Sequence, residues 1–233
     1  MQQVLITGAN RGIGFELTRQ LLERGECVFA ACRQPERADG LQALKSQFPD
    51  QLTIVALDVT VDAAVMAAAT AVTQQTNHLD MLINNAGILY NKETVANFDP
   101  TLMQHTFEVN VFGVMRVITQ FLPLLRNSSE PKLVNISSQL GSLQKANPGW
   151  KKYSYNSSKA ALNMLTRMLS FEFEQDGIAV TAVHPGWVQT DMGGPEAAVT
   201  PPDSAAGILQ VTDNLTLANT GKFYTFSGEE HLW

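Results

Sequence analysis

The sequence predicts an α/β fold, a single Rossmann-type doubly wound domain with a seven-stranded, mostly parallel sheet and helices on both faces. Three observations carry this expectation. Seven short apolar runs recur along the 233 residues, helical patterns separate them, and no Pro/Gly/Ser-rich linker, repeat or low-complexity stretch divides the chain. Strands that alternate with helices favour parallel pairing, because each return to the same end of a sheet needs a crossover. One domain over residues 1–233 follows.

Val4–Ile6 is a short apolar strand, and Ile13–Leu22 carries apolar residues at helical spacing. Cys27–Cys32 is the second strand. Pro35–Gln47 is a helix with proline in its first turn, where a missing N–H costs nothing. Leu52–Leu57 is a strand, and an Ala-rich helix runs through Val65 and Val72. Met81–Ile83 is a short strand. Asp99 caps a long helix that starts at Pro100 and ends near Arg126. Lys132–Ile136 is the next strand. Ser154–Gln175 is a helix that stops before Gly177, a residue suited to closing a helix. Ile178–Val183, then a helix over Asp203–Leu217, then Gly221–Thr225 complete the set. Two Pro/Gly-rich stretches, Asn147–Gly149 and Gly193–Pro202, fall late in the chain. They lie after strand ends, where such sheets place ligand loops.

Composition excludes several functions. Hydrophobic residues make up 45% and charged residues 16%, against a usual charged share of about 25%. That is too apolar for a disordered chain, and it leaves room for a buried interface between subunits. Sixteen Lys+Arg against 22 Asp+Glu give a formal charge of −6. The longest positive cluster is Lys151-Lys152, so no nucleic-acid groove is expected. No run approaches the 18 or so consecutive apolar residues of a membrane span. Residues 1–7 read as a strand without a basic n-region, so no secretory signal is expected. Cys27 and Cys32 point to opposite faces of one strand and cannot pair. A reduced, cytoplasmic protein is the expectation. The four histidines, His78, His105, His184 and His231, show no metal-ligand spacing, and no metal site is predicted.

The first strand runs into Thr7-Gly8-Ala9-Asn10-Arg11-Gly12-Ile13-Gly14 and then a helix. Gly8 permits a tight turn, Gly12 a close backbone approach to a pyrophosphate, and Gly14 close packing of helix on strand. The helix N-terminus favours the anion. Asn10, Arg11 and Ile13 complete the candidate cradle. A dinucleotide site often carries an acid at the end of the second strand, which bonds the ribose 2′-OH. Here the strand ends Ala31-Cys32-Arg33, with no acid. Arg33, with Arg11 within reach, would pair with a 2′-phosphate. The expected cofactor is therefore NADP(H).

Tyr155-Asn156-Ser157-Ser158-Lys159 opens the helix after the fifth strand. Residues four apart share a helix face. An ammonium beside a phenol favours the phenolate and lowers its pKa, which suits proton transfer near neutral pH. Such a pair is common by chance, and its weight comes from its setting.

That setting resembles the short-chain dehydrogenase/reductase family, and within it the small carbonyl-reductase and C-factor branch. The matching motifs are Thr7-Gly8-x-x-x-Gly12-x-Gly14, Asp58-Val59, Asn84-Asn85-Ala86-Gly87, Asn110, Ile136-Ser137-Ser138, Tyr155-x-x-x-Lys159 and Pro185-Gly186-Trp187-Val188-Gln189-Thr190. They span the chain in order. The resemblance implies that Ser138 polarises a carbonyl, Tyr155 transfers the proton, Lys159 holds the nicotinamide ribose and tunes the tyrosine, and Asn110 anchors a proton relay. It places Asp58 and Val59 against adenine. It sets Asn85, Ala86 and Gly87 along the adenosine ribose, and Pro185, Gly186, Val188 and Thr190 along the nicotinamide. Ser142 is an alternative to Ser138, because it lies 13 residues before Tyr155, a common family spacing, whereas Ser138 lies 17 before. The strand-end position favours Ser138, and Ser137 is expected to support the strand end.

Trp150, Tyr153 and Trp187 could wall a substrate pocket or belong to the core. Phe107, Val111, Phe112 and Met115 could face the sheet or form a seam between subunits, and the resemblance implies a homodimer or homotetramer. Segments 144–152 and 191–202 are expected to cover the substrate. The expected function is hydride transfer between NADP(H) and a small carbonyl or alcohol. The alternative is an NADP(H)-binding regulator on the same fold. A sugar-nucleotide epimerase is disfavoured, since only about 40 residues follow Thr190.

Overall fold

The structure is a computed structural model that describes residues 1–90, 93–149 and 151–233. Among these residues, seven strands form one sheet: β1 (Gln3–Thr7), β2 (Cys27–Cys32), β3 (Leu52–Ala56), β4 (Met81–Asn84), β5 (Lys132–Ile136), β6 (Ala179–His184) and β7 (Lys222–Thr225). Their order is β3-β2-β1-β4-β5-β6-β7, and every pairing is parallel. Between them run α1 (Gly12–Glu23), α2 (Asp39–Gln47), α3 (Asp62–Thr73), α4 (Pro100–Phe107), α5 (Gly113–Arg126), α6 (Tyr153–Glu172) and α7 (Pro201–Asp213).

Side chains of period two build a core on each face. Leu5, Phe29, Leu82, Leu133 and Val180 turn one way, onto α3, α5 and α6. Val4, Ile6, Val28, Ile83, Val134 and Val183 turn the other way, onto α1, α2 and α7. The strand order reverses between β1 and β4, so the crevice beyond their carboxyl ends is the topological switch point. The glycine turn leaves β1 there, and Asn85 follows β4 there.

Three elements depart from expectation. The helix expected over Pro35–Gln47 is interrupted. Pro35–Arg37 forms a tight 3₁₀ turn, Ala38 leaves helical geometry at φ −97°, ψ 64°, and α2 starts at Asp39. The break lets Ala38 join the core. The last helix starts at Pro201, where two prolines occupy the first turn and the Thr200 hydroxyl accepts from Asp203 N–H. It ends at Asp213, and Leu217 belongs to a separate turn capped by Thr216 and Asn219. The long helix from Pro100 to Arg126 is continuous but not uniform, because Glu108–Phe112 is a π-turn between α4 and α5. By length and composition this run could cross a membrane. Its apolar face, from Val114 through Leu125, is packed in the core.

Candidate active site

The glycine turn is shaped by contacts that leave no room for side chains. Gly8 and Gly12 adopt φ +66° and +55°, a region L-residues rarely occupy. A Cβ on Gly14 would lie 2.3 Å from the Gly8 carbonyl oxygen. Asn85 locks the turn from the next strand. Its amide donates to the Thr7 and Gly8 carbonyls at 3.0 and 3.1 Å. The Asn85 and Ala86 N–H groups both donate to the Thr7 hydroxyl at 3.0 Å. The first turn of α1 has no side-chain cap and no acidic residue. Its N–H groups and positive end therefore face the turn uncompensated by the chain, which suits a phosphate.

Around this turn the other candidate residues gather unevenly. Thr190 packs on Gly12, where an added Cβ would meet its methyl at 3.1 Å. Arg11 ion-pairs with Asp191, the residue after Thr190. Arg33 acts on Asp58: burial pushes that carboxyl up, but the Thr60 hydroxyl and N–H and the Arg33 charge together hold it below its usual value. Asn10 is exposed, Ile13 is half-buried against the core, and Val59 is buried beside Gly113. Gly186 has φ +88° and lies against Phe226 and Val199, and the buried Val188 bridges to Val199. The segment after Thr190 is stapled back by Gly194 N–H to the Thr190 carbonyl and by Gln189 to Ala197.

Ser138, Tyr155, Lys159 and Asn110 converge beyond β4 and β5. Ser138 lies two residues past β5 in extended geometry, and its hydroxyl accepts from Leu140 N–H at 3.1 Å. The same hydroxyl lies near enough to the Tyr155 phenol to lower that group's pKa. Ser142 is buried instead in its own loop, accepting from Lys145 N–H at 3.1 Å. Ser137 supports the strand end, donating to Asn163 at 2.5 Å. Lys159 is buried, its Nζ 2.8 Å from the Ile136 carbonyl and 5.7 Å from the Tyr155 ring centre. Asn110 sits in the π-turn. Its amide donates to the Ile88 carbonyl at 2.9 Å and to Ser158 Oγ at 3.1 Å, and it accepts from Ile88 N–H at 2.9 Å. Gly87 fits against Asn110 and Lys159, where an added Cβ would lie in ordinary contact 3.4 Å from Asn110 Oδ1 and 3.8 Å from Lys159 Nζ.

The electrostatics correct one expectation. Burial pushes the Tyr155 phenol up to about 12, with the Ser138 hydroxyl pulling it partly down. Burial pushes the Lys159 ammonium down to about 8. Desolvation of both groups, rather than the lysine charge, dominates within the chain itself. Tyr155 is therefore protonated at neutral pH, the form a proton donor needs.

Below the site lies a buried relay that composition did not announce. Asn84 donates to Asn135, Asn135 to Thr166, and Thr166 to the Leu162 carbonyl, at 2.9, 2.9 and 2.7 Å. It ties β4 and β5 to the inner face of α6. Of the aromatic candidates, Trp187 is half-exposed with its Nε1 on the Gly193 carbonyl, and Tyr153 is also exposed, so neither is core. Trp150 lies outside the described residues. Val111 is buried and Met115 packs on the core, whereas Phe112 is exposed, so the four residues of the possible seam do not share one face.

A doubly wound sheet with a glycine turn at its switch point, and a buried Ser–Tyr–Lys–Asn cluster beside it, defines the class of dinucleotide-fold oxidoreductases. A family model described as short chain dehydrogenase matches residues 2–199, and the chain belongs to that family. It is 40% identical over 158 residues to C-signal of Myxococcus xanthus, covering 68% of this chain and 95% of that one. The NADPH-bound carbonyl reductase from chicken fatty liver superimposes with a TM-score of 0.95 at 39% identity, covering 100% of this chain and 99% of that one. Carbonyl reductase Sniffer of D. melanogaster gives a TM-score of 0.95 at 31% identity, with 100% of both chains covered.

Proposed function

We propose that the protein is an NADP(H)-dependent carbonyl reductase in which Tyr155 exchanges a proton with the substrate oxygen. The observation that carries this reading is the buried Tyr155 phenol beside Ser138, with the buried Lys159 ammonium 5.7 Å from its ring centre, next to a glycine turn shaped for a pyrophosphate. The chain's residues fit the cofactor: the uncapped α1 end and the side-chain-free turn receive phosphates. Gly8, Asn10, Arg11, Gly12, Ile13 and Gly14 would hold the pyrophosphate region, and Arg33 the 2′-phosphate. Asp58 and Val59 would meet the adenine. Asn85, Ala86 and Gly87 would line the ribose, and Pro185, Gly186, Val188 and Thr190 the nicotinamide. NADPH supplies the hydride when bound.

The protein's own part is proton management. Ser138 orients the carbonyl oxygen toward the phenol. Tyr155, neutral at working pH, donates its proton as negative charge builds on that oxygen. The phenolate left behind is stabilised by the Lys159 ammonium. Asn110 holds the backbone at Ile88 and the Ser158 hydroxyl, which fixes the floor of the site. The whole chain acts as one domain, in the cytoplasm, as a homo-oligomer, on a small carbonyl substrate, with neither nucleic acid nor membrane as partner.

The test is a panel of para-nitrobenzaldehyde, cyclohexanone and phenanthrenequinone followed by NADPH absorbance, with NADH in parallel. Turnover that falls about a hundredfold or more in Tyr155→Phe, with NADPH binding intact, is expected. Equal single-turnover rates for wild type and Tyr155→Phe would overturn the mechanism. A second reading, an NADP(H)-binding regulator, is favoured by one observation, the similarity to a protein named C-signal. Binding of NADPH with no turnover on any panel member would select it.

A further inference from the structure

The helix that carries Tyr155 and Lys159 has no cap of its own. Its N-cap residue, Lys152, makes no side-chain hydrogen bond to the helix, and its first turn holds no acidic residue. The free N–H groups and positive end of a helix need a partner. Here it arrives from a segment 61 residues earlier. One carboxylate oxygen of Glu93 accepts from Ser154 N–H at 3.0 Å, and the other accepts from the Ser154 hydroxyl. Glu93 is only 6% exposed, and Ser154 directly precedes Tyr155. Both ends of the connection after β4 therefore grip the site. Gly87 and Ile88 lie against Asn110 and Lys159, and Glu93 holds the first turn of α6.

We propose that Glu93 is a positioning residue for the proton-donating tyrosine. Its carboxylate fixes the first turn of α6 and so sets the Tyr155 phenol against Ser138. The inference rests on Tyr155 as the proton donor. Without the carboxylate that turn frays, and the phenol loses its alignment. A misplacement of about 1 Å can cost about a hundredfold in rate. The cofactor cradle, held by Asn85 on the β1–β4 side, does not depend on this bond. A cap that served stability alone would lower the melting temperature and leave turnover of the folded protein unchanged.

The experiment measures single-turnover reduction of para-nitrobenzaldehyde at saturating NADPH, NADPH affinity by fluorescence, and melting temperature. The variants are Glu93→Ala, Glu93→Gln, Ser154→Ala, Glu93→Ala/Ser154→Ala and Tyr155→Phe. Glu93→Ala is expected to slow hydride transfer about tenfold, with NADPH affinity within about twofold of wild type. Glu93→Gln keeps an acceptor for Ser154 N–H and recovers most of the rate. The double variant is no slower than Glu93→Ala, because the two residues act as one unit. A wild-type rate in folded Glu93→Ala, additive losses in the double variant, or a loss of NADPH affinity that matches the loss of rate would each overturn the proposal. Should Glu93→Ala fail to fold, Glu93→Leu, which fills the space without offering an acceptor, is read in its place, and a wild-type rate there overturns it equally. Tyr155→Phe keeps the two ideas apart. If it too reacts at the wild-type rate, the proton-donor reading fails; if it collapses while Glu93→Ala does not, only the role of Glu93 fails.

Discussion

His184 ends β6 with only 8% of its surface exposed, and its Nδ1 has no hydrogen-bond partner among the described residues. An imidazole so placed resists charging. Burial, reinforced by the nearby His231 ring, pushes it down to about 4 from an ordinary 6.5. Between those values the unfolded chain takes up a proton that the folded chain refuses, so falling pH favours unfolding. Stability is expected to decline from about pH 6.5 toward pH 4, by a sum on the order of 3 kcal/mol from this residue. Urea titrations across that range should show the slope, and His184→Gln should flatten it. A slope unchanged by the substitution would remove His184 as its source. Arg33 is the second residue with a separable effect. Its charge already acts on Asp58, and no acid stands at the end of β2 to repel a phosphate. Arg33→Ala is expected to weaken NADPH far more than NADH, by about tenfold or more for a lost charge-assisted contact. Equal losses for both cofactors would dismiss 2′-phosphate recognition.

At the scale of elements, the glycine turn can be tested without touching the chemistry. Gly14→Ala would drive a methyl to 2.3 Å from the Gly8 carbonyl, so α1 must back away from β1. A cost of about 1–3 kcal/mol in stability is expected, together with a marked loss of NADPH affinity. Gly25→Ala is the control: it too has positive φ, at +87°, but nothing lies within 4 Å. It should cost about 1 kcal/mol of backbone strain and leave affinity alone, and calorimetry with NADPH titration separates the two. The turn was legible from spacing because each glycine answers a local steric demand, and the seven strands because each is a short apolar run. Other parts were not. The π-turn at Asn110 adds one residue to a hydrogen-bonded loop without changing the apolar pattern of the helix around it. The break at Ala38 arises because an alanine is drawn into the core, which helix propensity cannot anticipate. Glu93 caps a helix that starts 60 residues later, so no local motif marks it. The pKa of Tyr155 depends on burial, which a Tyr-x-x-x-Lys spacing does not report.

For the molecule as a whole, the two faces of α6 lead in opposite directions. Tyr155, Lys159, Leu162 and Thr166 turn inward, whereas Met164, Met168 and Phe171 stand exposed at i, i+4 and i+7. The Arg167 guanidinium lies over the Phe171 ring at 4.4 Å and lengthens that surface. Next to α6 packs α4, and its outer side carries a groove lined by Phe98, Met103, Phe107 and Phe112. A two-fold axis would bring such a stripe against its own copy, and the homo-oligomer proposed above would use it in this way. Stripe and groove together would have to bury about 1,200–2,000 Å² for a stable pair, and the low charge content of the chain permits it. Sedimentation equilibrium is therefore expected to give twice the 25.5 kDa chain mass. Met168→Glu places a charge at the centre of the stripe and should return the mass to a single chain, since an unpaired charge in an apolar contact is costly. The inward face does not rely on the partner for any bond of the Ser138–Tyr155–Lys159–Asn110 cluster. Monomeric Met168→Glu should therefore retain most of its turnover while losing some thermal stability. A wild type that sediments as a single chain would remove the interface. A Met168→Glu monomer without turnover would mean that the partner subunit holds α6, and with it Tyr155, in place.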